Sequence, residues 1–145
     1  MRHRPWLPAL ALALLAGVFN GCGSSEVAVT GTDTNVSALN EIGESYRMYQ
    51  IAKQKPPTKV ADFQSLENIG GNGLAAVKSG EIVVEWGATL PDTSEEPGKV
   101  SSPEVLAYGK TVPTEGGSVL MLDRTIKKMT ADEFKAAPKP ATAKK

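Results

Sequence analysis

The chain has 145 residues, 41% of them hydrophobic and 22% charged, which fits one globular domain with appendages rather than a disordered or multi-domain protein. Its 16 Lys and Arg balance its 16 Asp and Glu, so it has no basic excess with which to neutralise phosphates, and nucleic-acid binding is excluded as a main function. The only histidine, His3, and the only cysteine, Cys22, lie in the first 22 residues; the body of the chain therefore excludes intramolecular disulfides, the usual Cys and His zinc sites, and nucleophiles that are cysteine or rely on histidine.

The N-terminus reads as an address. Arg2 and Arg4 make a basic start, and Leu7 to Phe19 is a run of thirteen mostly apolar residues. A bilayer core needs about 20 apolar residues to span, whereas the apolar part of an export signal takes about 7 to 15. The segment 1–21 is therefore expected to be a signal peptide, whose loss leaves 14 basic against 16 acidic residues and a charge near −2. Asn20, Gly21, Cys22, Gly23 and Ser24 then end the apolar run.

Gly21 and Cys22 resemble the end of a bacterial lipobox, although Phe19 and Asn20 replace its aliphatic and small residues. The resemblance implies that Cys22 is acylated and becomes the mature N-terminus, with two or more acyl chains giving the lasting membrane anchor that one chain would not. Ordinary cleavage near Gly21 to Ser24, releasing a soluble exported protein, and an uncleaved anchor are the alternatives. Residues 22–35, rich in Gly, Ser and Thr, are expected to form a flexible tether.

The domain is placed at residues 36–137. Leu39, Ile42, Tyr46 and Tyr49 recur at three and four within 37–53, which predicts an amphipathic helix with Ser37 as N-cap, Glu41, Glu44 and Arg47 toward solvent, and Pro56 and Pro57 as its stop. Thr58 is expected to cap a shorter helix with Val60, Phe63 and Leu66 on one face. Gly70, Gly71 and Gly73 read as a turn or hinge, because no Gly-Lys-Ser/Thr follows to make a phosphate loop.

From there the period becomes alternating. Strands are expected at 81–86, 104–109, 118–122 and 125–129, with Ile82, Val84 and Trp86 sharing a face. Val119 to Leu122 is apolar throughout, as a central strand covered on both faces should be. Asp123 and Arg124 are placed in a hairpin turn into Ile126, and Thr130 with Glu133 forms a capping box for a short last helix. Residues 87–103, with three prolines, two glycines, three serines and the pair Glu95 and Glu96, are too long for an ordinary loop. A flexible solvated loop is favoured, with a partner-binding loop as the alternative. Residues 138–145 are expected to be a disordered Pro, Ala and Lys tail.

This order of elements, with the first helix running into Lys55, Pro56, Pro57 and Thr58 and the segment Gly116 to Ile126 closing a hairpin, resembles the soluble headgroup of type II secretion pseudopilins and the pilin-like exported proteins common in planctomycetes. The resemblance implies an α+β fold in which an N-terminal amphipathic helix packs on a small antiparallel sheet of about four strands. Two departures matter. Arg124 stands where such hairpins have Gly, so a longer turn that involves Thr125 is expected. The prepilin peptidase site, Gly-Phe-Thr-Leu-x-Glu before a long apolar helix, is missing, so polymerisation does not carry over.

The functional expectation is a non-catalytic lipoprotein of the cell envelope, exported and held to a membrane through Cys22, monomeric, without cofactor or metal, and engaged in structural work or contact with envelope proteins. Two other readings stand beside it. One is an accessory of a type II secretion-like apparatus. The other is a small hydrolase using carboxylates such as Asp123, Asp132 and Glu133, or a Ser and Lys pair.

Overall fold

The computed structural model describes residues 34–66 and 71–141. Its elements in chain order are α1 (Thr34–Lys53), α2 (Val60–Gln64), α3 (Gly71–Ser79), β1 (Ile82–Val84), β2 (Val105–Gly109), α4 (Val112–Glu115), β3 (Gly117–Met121), β4 (Ile126–Met129) and α5 (Ala131–Ala136). The four strands form one antiparallel sheet in the order β1-β2-β3-β4. The chain is thus α+β, an open meander with helices on both faces.

One face of the sheet is covered by the first three helices. Leu39, Ile42 and Tyr46 of α1, with Phe63 of α2, pack on Ile82, Val84, Leu106, Ala107, Leu120 and Leu122. The rings stack in sequence: Phe63 lies edge-on to Tyr46 at 6.1 Å and tilted against Trp86 at 5.2 Å, both within the range where aromatic pairs attract. The other face carries a smaller cluster, in which Val112 of α4 and Phe134 of α5 cover Val105, Val119 and Met121. β3 lies between β2 and β4 with apolar side chains in both clusters, which is why its sequence has no polar alternation.

Strand β2 breaks the two-residue period. Val105 pairs with Met121 but Ala107 pairs with Leu120, so Leu106 is an extra residue in a β-bulge. Regular alternation would put Val105 and Ala107 on one face. The bulge sends Val105 to the smaller cluster and both Leu106 and Ala107 to the larger, and all three are fully buried.

Several local readings are corrected. Helix α1 starts at Thr34, so Ser37 is inside it rather than its cap, and Thr34 and Asn35 belong to the helix rather than to a tether. The helix stops at Gln54, whose φ of 54° is left-handed and whose N–H still donates to the Gln50 carbonyl at 2.9 Å, before Pro56 forbids continuation. Lys59, not Thr58, holds the N-cap position of α2; the Thr58 N–H and hydroxyl donate to Asp62 at 2.7 and 3.0 Å instead.

The glycine cluster is not simply a hinge, because Gly71 and Gly73 open α3. A Cβ on Gly73 would lie 2.9 Å from the Ala38 carbonyl and 3.0 Å from Cβ of Glu41, so its missing side chain is what lets α3 press against α1. Its N–H, one of the donors that a helix start leaves unpaired, is taken by Glu41 at 2.6 Å. Glu41 therefore caps a neighbour instead of facing water. On the opposite edge, α5 has the full capping box of Thr130 and Glu133.

The packed chain continues past α5 into the segment that composition assigned to a tail. Val105 donates to the Pro138 carbonyl at 3.0 Å, Pro140 is buried, and the Lys139 ammonium lies 3.8 Å over the Phe134 ring and 4.5 Å over Tyr108. Burial pulls its pKa below the ordinary lysine value, against the pull of Glu85 at 3.7 Å.

Candidate functional site

Cys22, the one site residue that the sequence singles out, lies outside the described residues, as do the segment expected to be a signal peptide and all of the expected tether before Thr34. Within the described residues the densest polar constellation sits over the loop between β1 and β2. This long loop is pinned, contrary to the flexible solvated segment favoured from its composition.

Two helix residues and one turn hold it. Gln50 of α1 treats Leu90 as a strand would: its Oε1 accepts from the Leu90 N–H at 2.9 Å and its Nε2 donates to the Leu90 carbonyl at 3.4 Å. Leu90 and Ala88 are thereby fixed in the larger core cluster. One turn earlier, Arg47 donates to the Thr93 carbonyl at 3.3 Å. Arg47 keeps only 13% of its side-chain exposure because the loop folds over it, which corrects its assignment to the solvent side.

The turn is the β3–β4 hairpin. Arg124 N–H donates to the Met121 carbonyl at 3.0 Å, Met121 N–H donates to the Thr125 carbonyl at 2.8 Å, and Arg124 has φ of 66°. Leu122, Asp123 and Arg124 thus lie between Met121 and Thr125, a turn longer than two residues in which Arg124 itself takes the left-handed position that glycine favours. Asp123 braces it by accepting from the Thr125 N–H at 3.0 Å and hydroxyl at 2.6 Å.

The same turn grips the loop. The Arg124 guanidinium, 4% exposed, donates to the carbonyls of Ser94 and, at 3.2 Å, Glu96, and its other nitrogen lies 3.6 Å from Glu44 on α1. The Asp123 carbonyl accepts from Gly98 at 2.8 Å, and its second carboxylate oxygen accepts from Ser102 at 3.1 Å. Glu44 also accepts from Nε of Arg47 at 2.9 Å, so one carboxylate ties both arginines to the helix. That hydrogen bond raises the Arg47 pKa above its ordinary value.

Inside the loop, Asp92 folds the backbone around itself. It accepts from the Ser94 N–H at 2.8 Å and hydroxyl, and from the Val100 N–H at 3.1 Å. The Ser94 hydroxyl and N–H hold its pKa below the usual carboxylate range, with Val100 and the charge of Arg124 adding to the effect.

The carboxylates considered for hydrolysis are not brought together. Asp123 is buried in the turn before β4, and Asp132 and Glu133 lie beyond the far end of that strand. Glu133 is engaged in the capping box and exposed Asp132 pairs with Lys135 at 3.7 Å. The hydroxyls of Ser45, Ser65 and Ser79 donate to main-chain carbonyls, and that of Ser102 to Glu104, rather than to a lysine. The Tyr46 hydroxyl donates at 3.5 and 3.4 Å to the Pro57 and Glu85 carbonyls, and burial pushes it well above the ordinary phenol range. Among the described residues no group of three or more His, Cys, Asp or Glu is placed to hold a metal ion.

Sequence reasoning missed the arginine clasp. A signal for it exists: an arginine in a hairpin slot that favours glycine bears a conformational cost of about 1 kcal/mol, which points to a task for its side chain. The clasp partners are main-chain carbonyls, which every residue has, and so they leave no mark in the sequence. The chain matches no known family, no curated protein and no solved structure.

Proposed function

We propose that this protein is a non-catalytic lipoprotein of the cell envelope, exported by residues 1–21, acylated at Cys22, and displaying a small pilin-headgroup-like domain for structural work or for contact with another envelope protein. The observation that carries the reading is the leader itself: a basic start and thirteen mostly apolar residues end just before the only cysteine in the chain. Among the described residues no helix is long and apolar enough to cross a membrane, which accords with an anchor that is lipid. The charged groups support the non-catalytic part, since Arg47, Arg124, Asp92, Asp123 and Glu133 are all engaged in holding this chain's own backbone.

Metabolic labelling with a fatty-acid analogue tests the anchor. The wild type takes up label and its mature N-terminus is Cys22, while a Cys22→Ser variant takes up none. Equal labelling of the two, or a mature N-terminus elsewhere, sinks the reading.

The accessory role in a secretion apparatus is the second reading. A long helix crossing an antiparallel meander supports it, as the pseudopilin headgroup has that plan. Co-purification of the protein with pseudopilins from solubilised membranes would favour it.

A further inference from the structure

The face of α1 that points away from the sheet changes character along its length. Its first half carries the exposed residues Ser37, Asn40 and Glu44, whereas its last turns carry Met48 and Ile51, 46% and 41% exposed, with exposed Ala52 beside them. At helical spacing 48, 51 and 52 share one side. Lys53 at the helix end, and Lys55 and Lys59 in the turn that follows, are all exposed, and none of the three makes an ion pair among the described residues. The end of α1 and the turn after it thus carry two half-exposed apolar side chains and three exposed ammonium groups, of which Lys59 also helps to hold the Asp62 carboxylate ionised.

We propose that this end of α1 docks on an anionic lipid bilayer, laying the domain against the membrane rather than letting it stand off. Ammonium groups at a bilayer surface are drawn to anionic headgroups, each improving binding by about fivefold, while apolar side chains enter the acyl boundary. The inference rests on the proposed membrane anchor, which gives the patch its bilayer. Geometry allows both contacts at once: eleven residues separate Cys22 from Thr34, a span that reaches about 40 Å when extended, whereas α1 is about 30 Å long. A short tether also holds the domain at a millimolar effective concentration, so weak docking suffices. A second copy fits the patch poorly, because a two-fold contact would set the same lysines against each other, and two apolar side chains fall far short of a stable protein interface.

Sedimentation with vesicles tests this, using the chain from residue 22 onward with Cys22→Ser, so that no lipid contributes. Binding is expected to vesicles of mixed phosphatidylcholine and phosphatidylglycerol and not to phosphatidylcholine alone. Replacing Lys53, Lys55 and Lys59 together by Gln should weaken it about a hundredfold, and Met48→Ser with Ile51→Ser should weaken it as well, both with unchanged thermal unfolding, since all five side chains are exposed. Binding unaltered by the lysine replacements, equal binding to both vesicle types, or a dimer that buries Met48 would overturn the proposal. Acylation plays no part in this experiment, so the anchor and the docking face can fail separately.

Discussion

The Arg124 guanidinium donates to the Ser94 carbonyl across 30 residues of sequence, and so the turn that closes the last hairpin also closes the longest loop. The two roles of Arg124 pull in opposite directions, because its backbone sits at φ of 66° while its side chain supplies charged donors to part-buried carbonyls. Hydrogen bonds to charged groups contribute about 1.5 to 3 kcal/mol each, so Arg124→Ala should cost about 2 to 4 kcal/mol. Arg124→Gly should cost about 1 kcal/mol less, since glycine relieves the backbone. Denaturant unfolding of both variants gives the order, and an alanine variant as stable as the glycine variant would contradict the left-handed turn.

Two glycines at the start of α3 should respond to the same substitution with opposite signs. A Cβ on Gly71 meets nothing within 4 Å, so Gly71→Ala should be neutral or gain up to about 1 kcal/mol from helix propensity. A Cβ on Gly73 meets the backbone of α1, and forcing the helices apart should cost about 1 to 3 kcal/mol. Comparison of the two melting temperatures decides it.

Asp92 makes the loop sensitive to acid. Its folded pKa is depressed below the unfolded value of about 3.9, so its stabilising contribution is complete above that value and is lost as pH falls through the lower folded one. The difference in melting temperature between wild type and Asp92→Ala should therefore be constant from neutral pH down to about 5 and narrow below about 4. A difference that grows on acidification would mean the carboxylate is not held ionised.

The larger core should be sensitive where α1 enters it. Ile42 and Tyr46 are 1% and 0% exposed, and truncating either to Ala should cost about 2 to 5 kcal/mol. Glu44→Ala should cost less, about 0.5 to 1 kcal/mol, because Glu44 is half exposed and its pairs with Arg47 and Arg124 are partly screened. The same unfolding curves, run with and without chelator, should coincide.

What could be read in the sequence was what depends on near neighbours. The alternation of Ile82 and Val84, the unbroken run Val119 to Leu122, and the spacing of Thr130 and Glu133 are each local patterns with one physical outcome, and the strands, the central position of β3 and the capping box follow from them, although β1 ends at Val84 and Trp86, expected on the same strand, lies in the turn beyond it. The hairpin was legible too, but Arg124 itself takes the left-handed conformation, φ of 66°, that a longer turn was expected to spare it. Helix α3 was not, because two glycines lower helix propensity locally and only the approach of α1 to Gly73 makes their lack of a side chain an advantage. The bulge at Leu106 was hidden for a similar reason: an all-apolar run carries no alternation to show which residue is extra.

The sequence by itself thus determined a class, an α+β chain with a four-stranded antiparallel sheet, and the list of residues available for chemistry. Only the tertiary structure decided what those residues do. Glycine and serine in the loop before β2 raise the entropy that ordering must overcome, and its prolines lack the N–H that regular pairing needs, so composition alone favours mobility. Folding places Gln50, Arg47, Asp123 and Arg124, which come from two distant elements, within hydrogen-bond reach of its backbone and so supplies the compensating contacts. Contacts between a side chain and a main-chain carbonyl many residues away depend on the path of the whole chain, and a linear pattern does not contain that path.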